Sequence, residues 1–234
     1  MRLGRGRAGQ RDRDDDPAHE TVTSELGWAR VDADTRQWIP CPVIFPDGYD
    51  RDSWAAASAA AWSGQRGLPA DSAEAERLVS MLRMIQEGGY GRVRCHQIWI
   101  YLPDLFTTPL PVFIGIWKQS GDRDRRLRLL TGADDKSGAA KPQVAEVATD
   151  YLGTGLRVLR HQAKDKGRGR DLLGYAFRVE EDETDLQLFT ASSIPYGLSA
   201  ARDEIERLIQ GIAVYRNTDE RREPDGSPMT TPPA

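Results

Sequence analysis

Lysine, cysteine and histidine are scarce in this chain of 234 residues, which carries five, two and three of them. The five lysines stand among 32 basic residues against 36 acidic ones, for a formal net charge of −4. So even a balance argues against a dedicated nucleic-acid binder, which carries a net basic face. The arginine bias, with abundant Ala and Gly, points to a GC-rich genome such as an actinobacterium's and says nothing of function. Cys41 and Cys95 make neither a disulfide framework nor a Cys-x-x-Cys pair. In strands they read as small buried hydrophobes, and a bridge between them needs their strands to be neighbours. No apolar run approaches the roughly 20 residues that span a bilayer. The opening MRLGRGRAGQRDRDDD is charged and no apolar segment follows it. It does not read as a secretory signal, and the expected location is the cytoplasm.

Catalytic signatures are missing as well. There is no Gly-x-x-x-x-Gly-Lys-Ser/Thr phosphate loop and no Gly-x-Ser-x-Gly elbow. GGYGR (88–92) follows a helical segment and opens a strand, the reverse of a phosphate cradle. His19 lies in the polar N-terminal segment. His96 and His161 fall near strand ends with no His or Cys at metal-ligand spacing. Cys95 and His96 are adjacent, so in a strand they point to opposite faces and cannot form a dyad. Cys95 as nucleophile with His161 as base requires their strands to pair. The acidic run EEDETD (180–185) lacks the spacing of a calcium loop and reads as a solvated hairpin tip. No catalytic residue, metal site or cofactor is expected.

The remaining sequence has the organisation of one domain. Residues 1–22 and 217–234 are polar, charged or Pro/Thr-rich and are expected to be disordered tails around a single unit at 23–216. Trp38–Phe45 reads as a strand interrupted by Pro40 and Pro42, hence an edge strand or an irregular extended segment. DRDSWAAASAAAWSG reads as a helix capped by Asp50 or Asp52 and ended by Gly64, with Trp54, Ser58, Ala61 and Trp62 on one face. A second helix runs from Asp71 to about Glu87, with Leu78, Met81, Leu82 and Ile85 as its stripe and Gly88-Gly89 as its stop. Strands are expected at Arg94–Leu102, Leu110–Trp117, Leu127–Thr131, Val144–Ala148, Gly155–Ala163, Leu172–Glu180 and Thr184–Ser192. A last helix is expected over Ser199–Tyr215, striped by Ala201, Ile205, Leu208, Ile209 and Ile212. This order predicts an α+β fold, an antiparallel sheet covered by helices on both faces. The hairpin at 96–117 is apolar on both sides, as a central hairpin between two helical layers must be. Ile98, Ile100 and Leu102 are expected on one face, and Trp99, Tyr101, Phe113 and Trp117 on the other as a second core layer. The more one-sided strands at 155–163 and 184–192 are expected to flank it.

Three features have functional weight. The loop PDLFTTPLP (103–111) places Leu105 and Phe106 at its tip, where polar residues are the rule, and exposed apolar tips mark protein contacts. The alternative is that both fold back over the end of the sheet. The loop at 163–171 carries Lys164, Lys166, Arg168 and Arg170 and suits phosphate or an acidic partner, or serves as a plain hairpin connection. A pocket beside Trp99, Tyr101 and Trp117, with Cys95, His96 or His161 at its rim, would favour a small-molecule-binding protein or an enzyme.

The stretches WIPCPVIFP, DRDSWAAASAAAW, VAEVATDYLGTGLRVLRH, LLGYAFRV and DLQLFTAS, followed by a helix, resemble a family of actinobacterial proteins that looks like PsbP-like domains. The likeness spans roughly Trp38 to Tyr215 and is one of hydrophobic positions and glycines. It implies an αβα sandwich around an antiparallel sheet. It also implies a non-enzymatic role in binding another protein, as an adaptor or accessory factor of a secretion or assembly system. It sets no oligomeric state.

Overall fold

The computed structural model describes residues 28–45, 47–90, 95–138, 140–162, 169–194 and 197–215. The expected tails and most of the basic loop, with Lys164, Lys166 and Arg168, lie outside them. The described residues form nine strands and four helices: β1 (Trp28–Val31), β2 (Trp38–Cys41), α1 (Arg51–Gly64), α2 (Ala73–Tyr90), β3 (Gln97–Tyr101), β4 (Leu110–Lys118), α3 (Arg123–Thr131), β5 (Gln143–Thr149), β6 (Gly153–Gln162), β7 (Arg170–Val179), β8 (Thr184–Ser192), α4 (Gly197–Gln210) and β9 (Ile212–Tyr215). Seven strands make one antiparallel sheet in the order β2-β3-β4-β8-β7-β6-β5, and β1 pairs with β9 in a separate ribbon. The fold is thus α+β, an antiparallel sheet between helical layers. The proline-bearing strand β2 lies at an edge, where a missing ladder donor costs nothing.

Each face of the sheet has its own core. On one face Ile39, Cys41, Ile98, Ile100, Leu102 and Phe113 pack under α1 and α2, chiefly against Trp54, Trp62, Leu78 and Leu82. On the other, Tyr101, Val112, Ile114, Tyr175, Phe177 and Leu188 meet the α4 stripe of Ala201, Ile205, Leu208 and Ile209. Local chemistry explains the helices. Asp50 caps α1 by accepting from Ser53 N at 2.7 Å, and Ser72 accepts from Ala75 N at 3.2 Å at the start of α2. Gly88-Gly89 does not stop α2, which continues to Tyr90.

Four further expectations are corrected. LRLLT at Leu127–Thr131 is the end of α3, not a strand. Asp122 accepts from Arg125 N at 2.9 Å as its N-cap, and Gly132 ends it in the left-handed region at φ 67°. The last helix ends at Gln210, and Ile212–Tyr215 is β9. The chain turns at Gly211, whose O accepts from Asp32 N at 2.9 Å as β9 takes up its pairing with β1; an added Cβ there would lie 2.3 Å from Asp32 O, so only glycine fits the turn. The strand β8 flanks the hairpin through β4, but β8 rather than the hairpin holds the centre of the sheet. Its polar side is satisfied under α3, with Gln187 donating to Leu130 O at 2.5 Å and Asp185 gripped by arginine. Finally, Phe113 pairs with Ile98 and stacks on Phe189 at 4.9 Å, so Phe113 and Trp117 share the Ile98 face rather than that of Trp99 and Tyr101. The antiparallel register fixes this, because directly paired residues share a face.

A buried ion pair anchors the α3 end. Arg178 donates through Nε to Asp185 Oδ1 at 2.7 Å and through Nη2 to Oδ2 at 3.1 Å, and it also holds Ser120 O and Gly121 O. Arg126 reaches the same carboxylate at 3.3 Å.

Candidate functional site

Two places stand out, at opposite ends of the β3 strand. The first is the β3–β4 loop. Leu102 N donates to Gln37 O at 2.7 Å, and Leu102 O accepts from the Trp62 indole at 3.1 Å. Arg66 lies 3.5 Å from the Trp62 ring centroid and donates to Pro103 O at 3.1 Å and to Arg36 O. The entry to the loop is therefore fixed. Asp104 then folds the tip by accepting from Phe106 N at 2.8 Å and Thr107 N at 2.7 Å. Burial pushes the Asp104 carboxyl up, but those amides, the Thr107 hydroxyl and Arg66 outweigh it and hold the group below its ordinary pKa. The two tip residues part company. Leu105 packs onto the helical core under α1 and α2, whereas Phe106 stands 99% exposed. Leu105 thus folds back over the end of the sheet, and Phe106 stays in solvent.

The antiparallel register puts the end of β6 and the start of β7 at this same end of the sheet. Arg170 lies there, exposed, with Nε donating to Gln162 Oε1 at 2.7 Å. His161 Nδ1 pairs with Asp171 Oδ1 at 2.8 Å. Exposed Ile194, which follows β8, adds a second apolar side chain at that end.

The second place is a groove of about 490 Å3 at the corner where the chain leaves the sheet after Cys41. Its walls come from β1, the segment after β2, α1 and the start of β3, with Val31, Val43, Trp54, His96 and Trp99 among its lining residues. Ile44 and Tyr49 are exposed apolar side chains beside it. No single segment of sequence announces this groove, because four distant segments build it.

The structure brings some of the expected pocket residues together and separates others: His96 and Trp99 both line the groove, and the His96 ring meets Trp117 edge-on at 6.0 Å. Tyr101 is buried against Trp38 at 5.1 Å in the α4-side core, Trp117 lies on the opposite face, and of the aromatic trio only Trp99 lines the groove. Cys95 precedes β3 while His161 is on β6, with β4, β8 and β7 between those strands. They cannot act as nucleophile and base. Cys41 and Cys95 are free thiols. Burial pushes Cys41 up to about 12, aided by Cys95, and pushes Cys95 up to about 11. Among the described residues no group of three or more His, Cys, Asp or Glu is placed to hold a metal ion, and no helix is long and apolar enough to cross a membrane.

No protein-family model and no curated protein matches the chain. The PsbP-like resemblance therefore rests on the sequence pattern alone. Among solved structures, the chain is similar to LpqN, described as involved in cell envelope biogenesis of Mycobacterium tuberculosis. That match has a TM-score of 0.44 at 9% identity and covers 82% of this chain and 86% of that one.

Proposed function

We propose that this protein is a non-catalytic, cytoplasmic accessory domain that binds another protein through the end of the sheet carrying the β3–β4 loop. One observation carries this reading: Phe106 is 99% exposed at the tip of a loop whose backbone Asp104 and Arg66 hold in place. A fully solvated aromatic on a fixed backbone is pre-organised as an interface anchor, because burying it costs little ordering entropy. Ile194 and Arg170 at the same end extend the surface with one apolar and one basic side chain. Cys41 is buried and Cys95 half-buried, and desolvation holds both thiols protonated, which speaks against thiol catalysis; unbridged cysteines suit a reducing compartment. The PsbP-like resemblance implies the same kind of role, in a secretion or assembly system.

The test replaces Phe106 with a photo-crosslinking phenylalanine analogue in cells of the source, identifies the captured protein, and measures its affinity for purified wild-type and Phe106→Ser chains. A partner bound at least ten-fold more weakly by the variant, with unchanged circular dichroism, upholds the reading. Equal affinity, or no cross-link above that of a surface control position, ends it.

A further inference from the structure

We infer that the outer edge of β5 takes an extended segment of another protein as an added strand, with a lysine or arginine of that segment set opposite Glu146. This edge is the far side of the sheet from β3, and the inference does not rest on the reading of the β3–β4 loop.

The two edges of the sheet differ. β2 is four residues long and carries Pro40, which has no amide donor, and the Trp54 indole takes Pro40 O at 3.1 Å. Proline and indole together close that edge. β5 runs seven residues without proline or glycine, and among the described residues it pairs only with β6. An open edge of this kind presents backbone donors and acceptors that an extended chain satisfies.

The turn fixes which backbone groups face outward. Thr149 pairs with Gly153 across three residues, and Gly153 sits in the left-handed region at φ 67°. A hairpin of this type is closed by a hydrogen-bonded pair, so Thr149 turns its backbone groups toward β6. Alternation along the strand then turns those of Val144, Glu146 and Ala148 outward. Ala148 O agrees, because it accepts from Gln210 Nε2 at 3.0 Å. The outward groups of Val144 and Glu146 have no partner among the described residues.

The side chains set the chemistry of the occupant. Val144 is 42% exposed, and Glu146 and Ala148 are exposed on the same face. Glu146 is the one charged residue of β5, and its carboxylate has no ion-pair partner among the described residues. A cation directly across a ladder stabilises such a carboxylate, and a second carboxylate there repels it. A second copy of this chain therefore fits poorly. Centred on Glu146, a two-fold pair sets two carboxylates face to face. Centred on Val147, it needs the Ala148 O that Gln210 holds. Centred on Ala145, it sets Glu146 against Val144 and supplies no cation. A strand with β-branched residues on either side of one Lys or Arg covers Val144 and pairs Glu146 at once.

The probe is the peptide acetyl-SVTRTVS-amide, titrated into the full isotope-labelled chain and followed through its backbone amides. Acetyl-SVTETVS-amide is the same strand with the charge reversed. Wild type is expected to show saturable shifts centred on Val144 and Glu146 and to prefer the arginine peptide by roughly five-fold. Glu146→Arg is expected to reverse that preference. Val144→Pro removes an outward donor and no ladder bond, so it is expected to keep the circular dichroism of wild type and bind neither peptide. If that variant unfolds, the charge reversal decides alone. The inference is overturned if wild type fails to bind the arginine peptide at its solubility limit, shifts elsewhere, or binds both peptides equally. An unreversed preference in Glu146→Arg overturns it, as does a folded Val144→Pro that binds like wild type. So does protection of the Val144 amide that grows with protein concentration in the absence of peptide, because that outcome puts a second copy on the edge.

Discussion

Arg178 and Asp185 sit 3% and 0% exposed beneath α3, joined by two hydrogen bonds. Removing one partner of such a pair strands a buried charge, so Arg178→Ala is expected to lower unfolding free energy by roughly 3–5 kcal/mol, measured in urea. A joint replacement by apolar residues of similar volume should cost much less. At Cys41 and Cys95 burial holds both thiols protonated at neutral pH. A small alkylating reagent at pH 7.5 is therefore expected to label neither in the native protein and both in denaturant, counted by intact mass. His96 gives a pH dependence. Its pKa is lowered by burial in the folded state, so below the ordinary histidine value the unfolded chain binds the extra proton more readily. Stability is thus fully present above about pH 6.5 and falls as pH drops below that value. Denaturant melts of wild type and His96→Asn between pH 7 and 5 check this, and the variant should show a flatter profile.

Among the elements, α3 and β9 show where sequence reasoning succeeds and where it fails. The long helices α1, α2 and α4 are legible because their apolar residues recur over several turns and their caps are in place. LRLLT is too short to reveal a period, and three leucine-rich positions suit a strand as well as a helix. The true signal was the pair Asp122 and Gly132, a cap at each end. Asp122→Ala is expected to cost about 1 kcal/mol, with the loss seen in the amide exchange of α3. β9 was hidden because Ile212 falls four residues after Leu208 and so continues the helical stripe. The helix gives way at Gly211, a visible stop signal, where Asp32 N donates to Gly211 O at 2.9 Å and leads into the pairing with β1; that pairing is invisible along the chain. Gly211→Ala is expected to destabilise the protein by roughly 1–3 kcal/mol and to loosen the β1–β9 ribbon first, read by hydrogen exchange at Ala29 and Val214. The site divided in the same way. Phe106 could be picked out because an apolar loop tip is a local anomaly. The faces of Phe113 and Trp117 depend on the strand register, and the groove depends on tertiary assembly.

Over the whole molecule, the sheet is two consecutive antiparallel runs, β2-β3-β4 and β5-β6-β7-β8, joined only where β4 pairs with β8. The α1–α2 layer lies over the first run and α3 over the second, so β4–β8 is the seam that makes one core from two halves. Trp28 faces Tyr215 across the β1–β9 ribbon, which brings the first and last described residues together. In topological terms the fold is a ring that happens to be cut at that corner. Moving the cut to the connection between α3 and β5, and closing the ring at the ribbon, would leave every strand pairing intact while exchanging the order in which the two halves leave the ribosome.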